Sequence, residues 1–237
     1  MLDSNTNMYI LLTMLTFVLC LVSCADRHPS DRTLTCTYDE SSHNKILIDY
    51  YIMSKCPDAQ ICVEQYGDDI KALQGYINVQ FSHIVQSMSA DGTVFTCMHG
   101  AGECIGNQQQ SCIQLQSNAR KSNGDTTLQL YDYMMCQLSD YQNIPSNGES
   151  CCKSTNFDSN DFNECMSSST GIHAFKHSVQ RTQKAGAKKS CTITLDHKPF
   201  AIHDSKWDTS DGVAPNLIDA VCSALQHKNA PRPTICN

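Results

Sequence analysis

Two periods of apolar residues divide the chain into strands and helices. Ile46, Leu47, Ile48, Tyr50, Tyr51, Ile52 and Met53 form a dense apolar, β-rich run that predicts a buried strand. After Ser54-Lys55-Cys56-Pro57-Asp58-Ala59 the period lengthens, and Cys62, Tyr66, Ile70 and Leu73 keep the spacing of an amphipathic helix packed on a sheet. Tyr76 to Ser87 reads as a second strand, and Ala90-Asp91-Gly92 as a turn. Gln114 to Cys165 lacks β-branched runs and carries one good helix, Leu128 to Leu138. A polar helix, His173 to Lys184, follows, and Ala185-Gly186-Ala187 can end it. Cys191 to Leu195 is a short strand, Asp196-His197-Lys198 a turn, and Pro199 to His203 the hairpin partner. Trp207 to Gly212 is loop. A last helix buries Val213, Leu217, Ile218, Val221 and Leu225, with Pro215 in its first turn. Helices flanking a small mixed sheet make an α/β sandwich.

The first residues stand apart from this pattern. Met1 to Tyr9 is polar, Ile10 to Val22 is continuously apolar, and Ser23-Cys24-Ala25 follows. The run is too short to span a bilayer but suits a secretory signal with a small-x-small cleavage site, so cleavage is expected after Ala25. Residues 26–45 are a polar, extended lead-in carrying Cys36. The rest of the 237 residues suffice for one domain with a sizeable core. A net charge of −7, spread over a mixed-sign surface, points to neither nucleic acid nor anionic lipid, and no membrane partner is expected once the signal is removed. The 15 cysteines indicate an oxidising compartment. Cys20 and Cys24 fall in the signal, and the remainder is odd, so at least one thiol is free or bound to another molecule. There is no Asn-x-Ser/Thr acceptor for N-glycosylation.

Against this background Cys56 is the residue with chemistry in reach. It stands between a strand and a helix, where the first free backbone N–H groups of the helix favour a thiolate. Pro57 suits the first helical position. This is the layout of a thioredoxin-like redox site with one part missing, since the position one turn on is Ala59. Cys62 is a poor substitute as a resolving thiol, because six helical residues separate it from Cys56 by about 9 Å of rise. Asp58 opposes the helix field and should raise the thiol pKa. The competing reading of Cys56 is a structural half-cystine.

The stretch Cys97-Met98-His99-Gly100-Ala101-Gly102-Glu103-Cys104, continuing through Asn107 to Cys112, offers three thiols, an imidazole and a carboxylate. Its spacing fits no closed zinc finger or knuckle, and in an oxidising compartment such thiols favour disulfides, so no metal is expected. The stretch resembles the signature of the gamma-interferon-inducible lysosomal thiol reductase family. Cys97, His99, Gly100, Glu103, Cys104, Asn107 and Cys112 all match its spacing, with Met98 in place of a glutamine. Leu130 to Pro145, Cys152 with Cys165, and Ile172 to Thr194 are also similar to that family, especially its fungal branch, so the resemblance covers roughly Ile46 to Leu225.

The resemblance implies a thioredoxin-like sandwich, residues 46–237, with a disulfide-stapled helical insertion at about 97–165. Cys36, Cys97, Cys104, Cys112, Cys136, Cys151, Cys152, Cys165, Cys222 and Cys236 are the structural disulfide candidates. His99 and Glu103, four apart, are expected to orient the insertion over Cys56, whereas His173 and His177 read as solvated. A thioredoxin-like fold places a cis-proline before its third strand, and alignment through Lys198-Pro199 puts Cys191, or Ser190, there. Cys56 and Cys191 are therefore expected to bond or nearly touch. The implied function is a thiol-disulfide oxidoreductase of the secretory pathway, extracellular or lysosomal/vacuolar, acting on protein disulfides through Cys56 without a cofactor. Its resolving group is a nonstandard cysteine, Cys191 or Cys62, or a small external thiol. The alternative is a disulfide-stapled binding or structural protein that keeps the fold and has lost turnover.

Overall fold

A computed structural model describes residues 44–121 and 124–237. The expected signal, most of the lead-in and Cys36 lie outside them. The chain enters as β1 (Ile46–Ile52), turns through α1 (Pro57–Gln65) and α2 (Gly67–Ala72), and returns as β2 (Ile77–His83). A small hairpin, β3 (Ser87–Met88) and β4 (Phe95–Thr96), closes around the turn at Asp91-Gly92. Five helices follow: α3 (Ala101–Arg120), α4 (Thr127–Ser139), α5 (Gly148–Ser154), α6 (Ser159–Ser167) and α7 (Ser169–Ala185). The hairpin β5 (Thr192–Leu195) and β6 (Lys198–Ile202) and the helix α8 (Leu217–His227) complete the fold. The main sheet has the order β2-β1-β5-β6, with β1 and β2 parallel and the other neighbours antiparallel.

The strand β1 is buried almost throughout because both of its edges are paired. On one face Tyr50 stacks on Phe81 with ring centroids 5.0 Å apart, and Tyr131 of α4 meets both rings. The predicted helical face of Cys62, Tyr66, Ile70 and Leu73 is buried, but the helix breaks at Tyr66. Gly67, a poor helix former, follows the break, and the Tyr66 hydroxyl donates to the Pro215 carbonyl at 3.1 Å. The last helix starts later than its apolar spacing predicts. Asn216 caps it by accepting from the Asp219 N–H, which leaves Pro215 outside and Val213 exposed.

The edge strand β2 is closed by helix side chains. Gln114 of α3 accepts from the Phe81 N–H, Ser178 of α7 accepts from the His83 N–H, and Arg181 donates to the Phe81 carbonyl. These bonds take up the outward backbone groups of Phe81 and the His83 N–H, covering the C-terminal half of this edge. Disulfides then tie the helices to one another: Cys112–Cys165 joins α3 to α6 and Cys136–Cys151 joins α4 to α5. Cys222–Cys236 pins the segment after α8. Helices α5 and α6 did not stand out in the sequence, since each is too short for a sustained period. Their ends are held locally instead, as where Asp158 accepts from the N–H groups of Asn160 and Asp161. Gly186 ends α7 in the left-handed conformation, φ +69°, as its place in the sequence predicts.

One expected staple is absent. Cys152 is free. Cys151 faces Cys136, and consecutive residues of a helix point about 100° apart, so its neighbour cannot point at Cys136 as well.

Candidate active site

The end of β1 delivers Met53 and Ser54 into a turn, and Cys56 is the N-cap of α1 with extended backbone angles, φ −85° and ψ 128°. Its side chain makes no capping bond, so the sulfur is not spent on the helix. The thiol is free and largely covered, 8% exposed. It lies 3.7 Å from the Ser190 carbonyl oxygen and 3.8 Å from Asp58 Oδ2. Burial pushes the Cys56 thiol up from its ordinary value, and the Asp58 charge adds to this. The nearby backbone N–H groups of Asp58 and Ala59, together with Ser190, pull the other way without overcoming it. Ala59 is fully buried one turn into the helix.

The expected approach of Cys56 to Cys191 takes a different form. Cys191 is bonded to Cys62, with Cα atoms 6.2 Å apart. Cys62 projects from the buried face of α1 toward β5, whereas Cys56 at the helix start meets the carbonyl of the preceding residue, Ser190. The Ser190–Cys191 peptide is cis, at the place where the alignment through Lys198-Pro199 set the cis-proline equivalent. Both Cys62 and Cys191 are fully buried, and the Ser190 hydroxyl holds the Met53 N–H at 2.9 Å. The disulfide and this bond clamp the two walls of the site together.

The signature residues form the third wall. Cys97 and Cys104 are bonded to each other, seven residues apart, which closes the entry to α3 and takes both thiols out of any metal-ligand set. Glu103 is buried and accepts from the His99 side chain, Nδ1 to Oε2 at 2.5 Å, and from the His99 N–H. Thus His99 and Glu103 satisfy each other. The direct grip on the site comes from Asn107, whose Oδ1 accepts from the Ser54 N–H at 2.9 Å, while the Glu103 carbonyl accepts from the Ser54 hydroxyl. Gly106 permits this approach, since a Cβ there would meet Ser54 Oγ at 2.7 Å and Ile144 Cγ2 even closer. Lys55 reaches over to donate to the carbonyls of Gln142 and Ile144. His173 and His177 are exposed on α7, away from these contacts.

A fourth group was not singled out by sequence. His203 follows β6 and exchanges backbone hydrogen bonds with Cys191, so the hairpin sets it directly opposite the cis peptide. Its Nδ1 lies 2.6 Å from Asp58 Oδ1, out of line for a straight hydrogen bond, and its ring packs edge-on against Trp207. Asp58 Oδ1 also accepts from the Ser205 N–H at 2.8 Å. Counting out from the Asp196-His197 turn pairs residue 203 with 190, and a register shift at Ile193/Thr194 moves its partner to Cys191, so the sequence carries only an approximate signal for it.

A parallel β1–β2 pair extended by the antiparallel β5–β6 hairpin, with helices on the sheet and a free thiol at the β1–α1 junction, defines a thioredoxin-like fold. Solved structures bear this out: reduced DsbA from Mycobacterium tuberculosis superposes with a TM-score of 0.51 at 10% identity, covering 79% of this chain and 84% of that one. The reduced disulfide bond oxidoreductase DsbG from the same organism gives 0.51 at 10% identity, with 80% and 81% covered. The model of the gamma interferon inducible lysosomal thiol reductase family matches residues 47–155. GILT-like protein 1 of Drosophila melanogaster is 25% identical over 206 residues, 81% of this chain and 79% of that protein. Both comparisons point to likeness with the gamma interferon inducible lysosomal thiol reductase family. These likenesses support a thiol oxidoreductase. Among the described residues no helix is long and apolar enough to cross a membrane.

Proposed function

We propose that this protein reduces disulfides of protein substrates in the secretory pathway, outside the cell or in a lysosome or vacuole, by a monothiol route through Cys56. The observation that carries this reading is the Cys62–Cys191 bond. It occupies both cysteines that were candidates to resolve a mixed disulfide, while Cys56 stays free beside them. With Ala59 in the turn, the chain offers no thiol one helical turn from Cys56.

In this scheme the Cys56 sulfur, once its proton is removed, attacks one sulfur of a substrate disulfide. The new S–S bond forms as the old one breaks, and the departing substrate sulfur takes up a proton. A small external thiol then attacks the mixed disulfide, releases the second substrate thiol or regenerates Cys56, and is itself oxidised when a second equivalent completes the exchange. Such turnover depends on the external thiol in a way that a paired-cysteine site does not. Insulin reduction should therefore be negligible without added reduced glutathione and rise with its concentration. Glutathione dependence that persists unchanged in Cys56→Ser would overturn the assignment.

A second reading is a binding protein that retains the fold without turnover. Ala59 and the upward-shifted Cys56 thiol favour it. A stable, unresolved adduct of Cys56 with substrate in the presence of millimolar thiol would select it.

A further inference from the structure

We propose that Asp58 and His203 form a proton relay for Cys56, with Asp58 receiving the thiol proton and His203 storing it. The inference rests on the reading of Cys56 as the attacking thiol. The two oxygens of Asp58 face opposite ways: Oδ2 lies 3.8 Å from the Cys56 sulfur and Oδ1 lies 2.6 Å from His203 Nδ1. Both flanking groups are largely buried, and the His203 Nδ1 has no in-line partner in the structure. Three elements hold the line in place. The start of α1 presents Asp58, the backbone pair with Cys191 fixes His203, and the Ser205 N–H anchors Asp58 Oδ1.

The chemistry gives each part a task. A lone carboxylate beside a thiol only hinders ionisation, because it opposes the thiolate and is too weak a base to keep the proton. An imidazole behind that carboxylate changes both terms. The proton of Cys56 enters at Asp58 Oδ2, and the same proton, after the carboxyl group turns it toward His203, comes to rest on His203 Nδ1. The resulting imidazolium neutralises the carboxylate as the thiolate forms. The Cys56 sulfur then bonds to one substrate sulfur, the substrate S–S bond breaks, and its electron pair goes to the second substrate sulfur. That sulfur recovers the proton from Asp58, and His203 returns to neutral. One thiol is consumed and one is produced, so the step needs no further oxidant or reductant. Asp58 touches the reacting atom, whereas His203 acts through it as a positioning and storage residue.

The other charges nearby are paired or point elsewhere. Lys189 and Asp204 form an ion pair at 2.8 Å on the exposed rim, with Asp208 also acting on Lys189. Lys55 is bound to carbonyl groups of the α4–α5 connection. Ser190 and Ser205 contribute uncharged groups only.

The test compares two reactions of Cys56 in the full chain across pH 4 to 8. Alkylation by iodoacetamide reports thiolate alone, while single-turnover attack on oxidised glutathione also requires a proton for the leaving thiolate. In Asp58→Asn, alkylation at neutral pH should rise, yet the ratio of disulfide attack to alkylation should fall at least tenfold. The deficit should vanish with an aromatic disulfide, whose leaving thiolate needs no proton. His203→Leu should reproduce the fall, and so should His203→Asn, whose amide keeps a hydrogen-bonding group near the Nδ1 position but takes up no proton; recovery in His203→Asn would overturn the storage role. Should His203→Leu fail to fold, Asp58→Asn and His203→Asn decide. A ratio within twofold of wild type in Asp58→Asn sinks the relay and leaves Asp58 as an adverse charge. If wild-type Cys56 forms no mixed disulfide at all, the attacking role itself is lost, a result distinct from an unchanged ratio.

Discussion

Cys56 and Cys152 are the two free thiols among the described residues, and burial raises the pKa of both. Their surroundings differ. Cys56 caps a helix, borders a cis peptide, and faces a carboxylate backed by an imidazole. Cys152 lies inside α5, fully buried beside Tyr133, with its sulfur 3.7 Å from the Asp158 carbonyl. It follows a half-cystine and has no histidine beside it among the groups that shift its pKa. Burial therefore does not distinguish a working sulfur from a packed one. What differs is the pair of side chains beside Cys56, the Asp58 carboxylate and the His203 imidazole behind it.

The sharpest way to break this contrast is to remove each sulfur. Cys56→Ser is expected to abolish glutathione-supported insulin reduction, while Cys152→Ser should stay within twofold of wild type. Comparable losses in both would erase the distinction. Next in size is the bonded pair beside the site. Replacing Cys62 and Cys191 together by Ala opens a link between residues 129 apart, and the loop-entropy argument puts the loss at about 5 kcal/mol in chemical denaturation. The Cys97–Cys104 link, separated by only seven residues, should cost about 2 kcal/mol.

A pH scan extends the comparison to two other buried titratable groups. Desolvation raises Asp49 to about 6, against lowering contributions from Ser82, Arg181, Tyr51 and Gln80. A raised carboxyl contributes stability that is complete below its unfolded value and lost as pH rises through about 6. Desolvation lowers His83 to about 4, where it sits between Ser178 and Gln110. Its contribution is complete above its unfolded value and is lost as pH falls toward about 4. The two slopes oppose each other across the same acidic window, each worth on the order of 3 kcal/mol. Thermal stability of the wild type should thus be nearly flat between pH 6.5 and 4 as far as these groups decide it. Asp49→Asn should make it fall on acidification and His83→Gln should make it rise. Unchanged slopes would show that neither group differs between folded and unfolded states.

The smallest effect concerns the wall contributed by the signature. Asn107→Ala strands the buried Ser54 N–H and should cost about 2 kcal/mol. Because that N–H lies two residues before Cys56, insulin reduction should fall more than in His99→Ala, whose partner Glu103 grips the site only through its backbone. Equal activity in the two variants would argue that the signature serves folding alone.

Much of this molecule was legible in one dimension. The apolar runs located β1, the α1 face, the β5–β6 hairpin and α8, because burial on a sheet demands side chains at period two or 3.6 regardless of what else the chain does. Local chemistry likewise marked Cys56 at a helix start, Gly186 at a helix end and the signature cysteines as staples. The pairing of sulfurs was not legible, since spacing along the chain does not say which face of a helix meets which strand. Cys62 looked too far from Cys56 to matter, and its actual partner is 129 residues away. Nor could α5 and α6 be seen, as helices of this length draw their stability from tertiary packing and crosslinks instead of their own period. His203 was invisible for the same reason. Its meaning comes from a hairpin register that seats it opposite Cys191 and beside Asp58, and only the folded chain brings together residues 58, 191 and 203.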